Sequence, residues 1–201
     1  MMSKTHFAIG LATSLAIIRP QTFNDCAIAV IGGALGGVLA DNDILDNDYQ
    51  DDALIGQLLA LGTVVLTLLI DFFFKLGICQ SIISTPILSI IGSISFVVLY
   101  IIGFNSDHRT FTHSFLALAL YTIAITLIHI PLVAPFTSAY LSHLMLDVLN
   151  KKKVPLLYPM ETGICLKLCY ASKTANKVFM YIGFGISAIL LIIGIITSCF
   201  N

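Results

Sequence analysis

The chain has 201 residues, of which 58% are hydrophobic and 10% are charged, and its net charge at neutral pH is −1. An ordinary soluble domain carries about 25% charged residues, so this composition excludes a typical soluble protein and indicates a polytopic membrane protein. The near-zero net charge gives no indication of a nucleic-acid partner.

The apolar residues fall into seven segments, and we expect these to form an all-α membrane bundle of one domain, residues 1–201. Segments three and four are long enough to cross ~30 Å of hydrocarbon at ~1.5 Å per residue. Segments one, two and six are shorter and could enter the membrane without crossing it. In chain order the seven segments are 6–18, 27–40, 53–74, 82–104, 115–130, 132–149 and 178–200.

Two loops between these segments have opposite charge. Residues 41–52 form an acidic loop after segment two, and residues 150–177 form a basic interfacial loop before segment seven. When the seven segments are threaded back and forth, eight of the ten lysines and arginines fall on one side, and only Arg19 and Lys75 fall on the other. Basic residues in short loops are retained in the cytoplasm, so we expect the basic side to face the cytoplasm.

The octet of residues 107–114 is a cluster of polar and charged residues between the apolar segments four and five. It contains Asp107, His108, Arg109 and His113 within eight residues. Imidazole and carboxylate groups are ligands for zinc, manganese or iron, and they act as acid–base groups near neutral pH. The alternative is a polar loop whose histidines lie at the lipid headgroups.

The same threading brings further histidines and aspartates to the side of the octet. His143 and Asp147 are four residues apart and share one helix face, whereas Asp41 and Asp43 can enter one site only if the backbone between them is not helical. Ionisable groups at membrane depth are costly and mark functional sites, so we predict a divalent-metal centre, with zinc as the first expectation and manganese or iron as alternatives. Its predicted ligands, called here the His/Asp cluster, are His6, Asp41, Asp43, His108, His113, His143 and Asp147.

Two other residues of the octet are candidate catalytic residues. Arg109 stays protonated and cannot be a metal ligand, but its guanidinium could bind a substrate phosphate or pair with Asp107. His129 falls at the opposite end of segment five, with no carboxylate near it in sequence, and is expected to be structural or interfacial.

The ordered motifs of the first 159 residues resemble a known family. These motifs are His6…Gly10, Asp41-Asn42-Asp43, the octet, His143-Leu144-Met145-Leu146-Asp147 and Val154-Pro155-Leu156-Leu157-Tyr158-Pro159. The set resembles the membrane-bound metal-dependent hydrolases of bacteria and archaea, also called LexA-binding inner-membrane-associated hydrolases, which are distantly similar to zinc-dependent phospholipase C. The chain departs from that pattern at Ala40, where the family has proline, and at Lys153, where it tends to have glycine.

This resemblance implies a helical protein of the bacterial or archaeal cytoplasmic membrane with a hydrolytic metal centre. The expected function is therefore an integral membrane hydrolase that cleaves a phosphoester of a membrane lipid or lipid-linked substrate with a metal-activated water. One alternative is a divalent-cation transporter, although transporters usually bind ions near the membrane midplane between repeated halves. The other alternative is a non-catalytic membrane scaffold.

Overall fold

The computed structural model describes residues 1–43, 50–83, 85–160, 162–169 and 174–200. These residues form eight α-helices and two short 3-10 helices with no β-strand among them, so the all-α prediction is confirmed. The α-helices are α1 (Ser3–Ile18), α2 (Phe23–Val38), α3 (Gln50–Phe74), α4 (Ile78–Ile83), α5 (Pro86–Phe104), α6 (Phe115–Ile128), α7 (Val133–Val148) and α8 (Thr174–Phe200). The 3-10 helices, Leu39–Asp43 and Ile130–Leu132, follow α2 and precede α7.

Three helices form the centre of the bundle. Helices α1, α2 and α7 each pack against the other two, and the remaining long helices surround them. Helix α8 lies against α1, α3 lies against α2, and α5 pairs with α6. The central position of α1, α2 and α7 matters because α1 and α7 carry three of the seven predicted ligands, and α2 leads directly into the 3-10 helix that carries Asp41 and Asp43.

Glycine permits this close packing at the point where α1 meets α2. A Cβ atom added to Gly37 would lie 2.7 Å from the His6 carbonyl oxygen, and one added to Gly10 would lie 2.7 Å from Gly37 Cα. Small residues allow helix backbones to approach in a membrane, where packing rather than the hydrophobic effect drives association. The glycines of α2 therefore set the distance between the helices that carry His6 and Asp41.

Two helices begin at polar residues whose side chains cap them. The Thr22 side chain accepts a hydrogen bond from Asp25 N at 3.1 Å, and the Asp25 carboxylate accepts one from Thr22 N at 3.0 Å. This reciprocal pair is a capping box, and it marks the start of α2. Ser114 caps α6 through Ala117 N at 3.1 Å.

Four helices among the described residues are long and apolar enough to cross a membrane, fewer than the seven predicted. They are Phe23–Asp43, Gln50–Phe74, Pro86–Phe104 and Thr174–Phe200, and Phe115–Ile128 is a shorter apolar helix. Helices α1 and α7 have only 16 residues each, which is about 24 Å at ~1.5 Å per residue and too short for ~30 Å of hydrocarbon. Seven crossings are therefore not supported: segments one and six, which the sequence already allowed to enter without crossing, are the short helices α1 and α7, and segment five is the 14-residue α6.

The last residues of the predicted acidic loop are helical. Helix α3 begins at Gln50, so Asp51 and Asp52 lie in its first turn rather than in a solvated loop. Asp52 is buried, accepts a hydrogen bond from Ser3 N at 2.6 Å and pairs with Lys4 Nζ at 3.5 Å. Asp46 and Asp48 of the acidic loop and Lys173 of the basic loop lie outside the described residues.

Candidate metal centre

The structure brings all seven residues of the His/Asp cluster together at one end of the bundle. His6 lies in the first turns of α1, Asp41 and Asp43 in the 3-10 helix after α2, and His143 and Asp147 near the end of α7. His108 and His113 lie in the non-helical octet between α5 and α6. The three histidines His6, His113 and His143 are fully buried, and the three carboxylates are at most 3% exposed.

Asp147 joins the elements of the cluster. Its Oδ1 atom lies 3.2 Å from His6 Nε2, and its Oδ2 atom lies 3.3 Å from His113 Nε2 and 3.2 Å from Arg109 Nη2. The Met1 amine also contacts Asp147 Oδ1. One carboxylate on α7 therefore faces groups from α1 and from the octet.

Asp41 also faces His113, and in addition it faces His143. Its Oδ1 atom lies 3.5 Å from His143 Nε2 and 3.7 Å from His113 Nε2, and its Oδ2 atom accepts a hydrogen bond from Ser3 Oγ. The backbone that carries Asp41 and Asp43 is a 3-10 helix, not the non-helical turn that was expected. With three residues per turn, this tighter helix still directs both carboxylates into the bundle.

Asp43 holds the octet against the end of α2. It accepts hydrogen bonds from Arg109 N at 2.9 Å and Thr112 Oγ1 at 2.6 Å, and its Oδ1 atom lies 2.8 Å from His108 Nδ1. Arg109 has a φ angle of 65°, in the left-handed region that non-glycine residues seldom adopt. A buried carboxylate with several donors is thus the main reason for the shape of this loop.

The imidazoles direct their Nε2 atoms at the carboxylates. His143 Nδ1 lies 2.8 Å from the Gly37 carbonyl oxygen, which fixes the proton on Nδ1 and leaves Nε2 with a free lone pair. The Nε2 atoms of His6, His113 and His143 are all buried and make no well-aligned hydrogen bond, although those of His6 and His113 lie 3.2 and 3.3 Å from Asp147. An imidazole with one nitrogen held by a carbonyl and the other unpaired among carboxylates is a common arrangement for a metal ligand.

These atoms form three overlapping groups that could hold a metal ion. In each group, one ligand atom per residue lies within 4.8 Å of the others. His143 belongs to two of the groups and His113 to two, so the groups are contiguous. They are His6–His143–Asp147, Asp41–His113–His143 and Asp43–His108–His113.

The charges around His113 favour a cation at this position. Burial alone lowers the pKa of His113, but the negative charges of Asp43 and Asp147, 3.3 Å from its two ring nitrogens, outweigh burial and raise the pKa to about 10. In the absence of a metal the carboxylates therefore keep a proton on His113. A divalent ion would take the place of that proton, since metal ligands must be deprotonated.

The comparison with protein families covers nearly the whole chain. A family model described as YdjM inner membrane protein matches residues 1–199. The chain belongs to this family. No curated protein and no solved structure matches it. Family membership thus supports a membrane protein, and the description of the family names no reaction.

The two candidate catalytic residues of this YdjM-family protein occupy different environments. Arg109 pairs with Asp147 rather than with Asp107, and its Nη1 atom donates to the Lys152 carbonyl oxygen at 3.2 Å. Asp107 is exposed, and its backbone oxygen accepts a hydrogen bond from Thr110. Both residues line a cavity of about 770 Å³, called here the basic pocket, which His108, Lys152, Lys153 and Tyr158 also line.

The sequence interpretation did not include three polar residues that support the cluster. The Ser3 hydroxyl donates to Asp41, and Asp52 accepts a hydrogen bond from Ser3 N. Thr112 Oγ1 lies 2.6 Å from Asp43 Oδ2 and 3.1 Å from His113 Nδ1. Thr112 adjoins His113 and Ser3 precedes His6 by three residues, so both carry a local sequence signal. Asp52 carries none, because only the packing of α3 against α1 brings it there.

Proposed function

We propose that this protein is a membrane metal-dependent hydrolase that cleaves a phosphoester of a lipid or lipid-linked substrate. The observation that carries the proposal is the convergence of three buried Nε2 atoms, those of His6, His113 and His143, on Asp41 and Asp147 at 3.2 to 3.7 Å. Burying several imidazoles and carboxylates together is costly, and a divalent cation would be a ligand partner for all of them. A divalent ion, with zinc first expected and manganese or iron as alternatives, would supply Lewis acidity and lower the pKa of a water towards neutrality.

The basic pocket supports an anionic substrate at the same end of the bundle. Lys152 and Lys153 line it, and the Arg109 guanidinium lies between this pocket and Asp147. Guanidinium and ammonium groups bind phosphate oxygens. Arg109 would therefore orient a phosphoester, and the lysines would hold its negative charge.

His108 connects the pocket to the cluster. Its side chain is 26% exposed, it lines the basic pocket, and it belongs to the group with Asp43 and His113. The interaction with Asp43 fixes the orientation of its ring. His108 is thus the member of the cluster that lies nearest to a substrate in the pocket. Asp107, which is exposed and adjacent to His108, is a candidate for proton transfer.

The location of the cluster favours hydrolysis over transport. Its residues lie at the ends of α1, α2 and α7 and in the loop before α6, whereas transporters bind ions near the midplane on interrupted helices. A non-catalytic scaffold does not require buried imidazoles that converge on carboxylates. Both alternatives remain outcomes of the experiment below.

We further propose that the protein crosses the bacterial or archaeal cytoplasmic membrane several times with the cluster facing the cytoplasm. Lys4, Arg109 and Lys151–Lys153 lie at the cluster end of the bundle, while Arg19 and Lys75 follow the opposite ends of α1 and α3. Basic residues are retained in the cytoplasm. Single cysteines at Lys152 and Lys75 in a cysteine-free background test this, because an impermeant thiol reagent applied to intact cells should label only position 75.

The function is tested by metal analysis of the purified protein and a screen of phosphoester substrates. The wild type should contain a divalent metal and show hydrolysis that a chelator abolishes and added metal restores. His113→Ala combined with Asp147→Ala should remove both metal and turnover. The matched control is His129→Ala, since His129 is also a buried histidine but lies at the other end of α6.

The possible results separate the three functions. Full metal content in the double variant would contradict the assignment of the cluster. Metal-loaded wild type without turnover on lipid, polyprenyl or soluble phosphoesters would favour the scaffold. Cation flux in liposomes that requires His113 and Asp147 would favour the transporter.

A further inference from the structure

An apolar groove runs along the outside of the bundle between α3 and α5. Helix α3 packs mainly against α1 and α2, and α5 packs mainly against α6, which leaves a gap between them. Two cavities, of about 340 and 180 Å³, occupy this gap and share the lining residues Leu35, Val64 and Phe96. We call the pair the lateral groove.

From this geometry we propose that the lateral groove binds one acyl chain of a membrane lipid, with the polar end of that lipid at the His/Asp cluster. The proposal deepens the proposed function and rests on it for the identity of the headgroup. The binding of the chain itself requires no reaction. It is argued from the length, the width and the polarity of the groove.

The length of the groove matches one leaflet of a bilayer. On α3 its lining residues run from Leu54 to Leu68, which is about 21 Å at ~1.5 Å per residue. A bilayer with its headgroup regions is about 40–45 Å thick, so the groove covers about half of it. One end lies at Asn42, beside the metal centre, and the other lies at Ile78 and Leu132.

The width of the groove suits one hydrocarbon chain. Its cavity volume divided by its length gives a mean cross-section of about 25 Å². One extended acyl chain fits a groove of this width.

The polarity of the groove changes along its length as a lipid requires. The inner part is lined only by apolar residues of α2 to α6 and Leu132, whereas the end near the cluster contains Gln57 and Asn42. Asn42 is 1% exposed, its Nδ2 atom donates to the Tyr100 carbonyl oxygen at 3.0 Å, and its Oδ1 atom is buried without a partner. The polar end of the groove thus lies where the headgroup of a lipid bound along it would be.

Asn42 also links the groove to the cluster. It stands between Asp41 and Asp43 in the same 3-10 helix. A lipid whose chain lies in the groove therefore brings its headgroup to the end of the bundle where both carboxylates lie. The substrate would enter sideways from the leaflet, without leaving the hydrocarbon.

Photo-crosslinking with single-chain and two-chain phospholipids tests this proposal in the full-length protein. Two probes carry a diazirine either near the glycerol or at the chain terminus. In the wild type, the first should label residues near Leu39 and Leu61, and the second should label residues near Leu68 and Ile82. Labelling that does not depend on diazirine position, or that spreads over the exposed face at Val65 and Leu69, would overturn the proposal.

Two tryptophan variants, one inside the groove and one outside it, test whether filling the groove prevents labelling. Val64 lines both cavities, whereas its neighbour Val65 is 47% exposed and lines neither. Val64→Trp should lose the greater part of the label, and Val65→Trp should keep it; equal labelling of the two would overturn the proposal. Leu61→Trp repeats the test at an exposed position of the groove, where folding is not at risk, with Leu69→Trp as its control.

The same probes applied to the His113→Ala, Asp147→Ala double variant separate this proposal from the proposed function. Groove labelling in that variant supports chain binding even if hydrolysis is never found. Loss of labelling in a folded double variant would mean that the lipid is held by the metal centre rather than by the groove, and would overturn the proposal.

Discussion

Helices α2 and α8 are both apolar, but the fold uses them in opposite ways. In the most apolar stretch of α2 and the 3-10 helix that follows it, 72% of the residues are buried. The corresponding share is 22% in α3 and 17% in both α5 and α8. On the outer helices, side chains such as Phe72, Phe73 and Ile87 are 73% exposed. A surface of this kind is suited to lipid and not to water.

The polar groups follow the reverse distribution. Helices α1, α2 and α7 enclose His6, His143 and Asp147, which are at most 1% exposed. An ionisable group facing hydrocarbon is costly, while one facing other charges within the protein is compensated by them. The contrast teaches that in this protein the central helices enclose candidate metal ligands, whereas the outer helices present apolar side chains to their surroundings.

The sharpest test of this contrast compares two aspartates, buried Asp43 and exposed Asp107. Asp43→Ala removes the acceptor of Arg109 N and Thr112 Oγ1 and leaves His108 without its partner. Loss of one member of a buried charged network typically costs about 3–5 kcal/mol, so we expect a large drop in the thermal stability of the detergent-solubilised protein and loss of metal. Asp107→Ala should change stability by less than about 0.5 kcal/mol.

For this pair, equal melting temperatures would contradict the role of Asp43 in holding the octet. The turnover of Asp107→Ala is informative in a different way. A folded, metal-loaded Asp107→Ala variant with unchanged turnover would remove Asp107 from the list of candidate catalytic residues.

A second comparison replaces one glycine at the centre and one at the periphery by alanine. In Gly37→Ala the new Cβ would lie 2.7 Å from the His6 carbonyl oxygen, whereas around Gly62 nothing lies within 4 Å of such an atom. Overpacking of this kind costs about 1–3 kcal/mol, and it should also weaken metal binding because His143 Nδ1 contacts the Gly37 carbonyl. Gly62→Ala should be neutral or slightly stabilising.

The readouts for the glycine pair are the melting temperature and the metal affinity, measured on the same samples. If Gly37→Ala melts and binds metal like Gly62→Ala, the close approach of α1 and α2 does not position the cluster.

The last expected effect is the pH dependence of metal binding. The pKa of His113 is raised to about 10 in the metal-free protein, so the protonated form is stabilised and a metal must displace that proton. Metal affinity should therefore increase with pH, by about tenfold per unit below pH 10 for a single displaced proton. Calorimetric titration between pH 6 and 8 checks this, and an affinity that is flat or falls over this range would contradict it.

Most of the fold could be predicted from the sequence, because apolar runs between polar breaks mark helices in a membrane protein. Each of the seven predicted segments coincides with a helix, but α4 was missed because its six residues are too few for a periodic signal. The number of helices that could span a membrane is four among the described residues, fewer than seven. Helices α1 and α7 are short and lie at the centre of the bundle, and a central position depends on contacts with other helices rather than on the local sequence.

The site was predictable as a set of residues and not as a geometry. Charged residues make up only 10% of this chain, so the positions of histidines and aspartates at segment ends indicate a common location. Which atoms face each other depends on the rotation of each helix about its axis and on the 3-10 backbone at Asp41 and Asp43, which no spacing rule gives. For this reason Arg109 pairs with Asp147, 38 positions along the chain, rather than with Asp107 beside it.

The sequence by itself determined that this is an all-helical membrane protein with a group of candidate metal ligands, since composition and the rarity of charge are properties of the chain alone. The tertiary structure decided which helices lie at the centre, how Asp43 holds the octet, and where the lateral groove runs. These features arise from contacts between residues far apart in the chain. Their free energies depend on close packing and on the burial of charge in a shared environment, and neither exists until the helices have assembled.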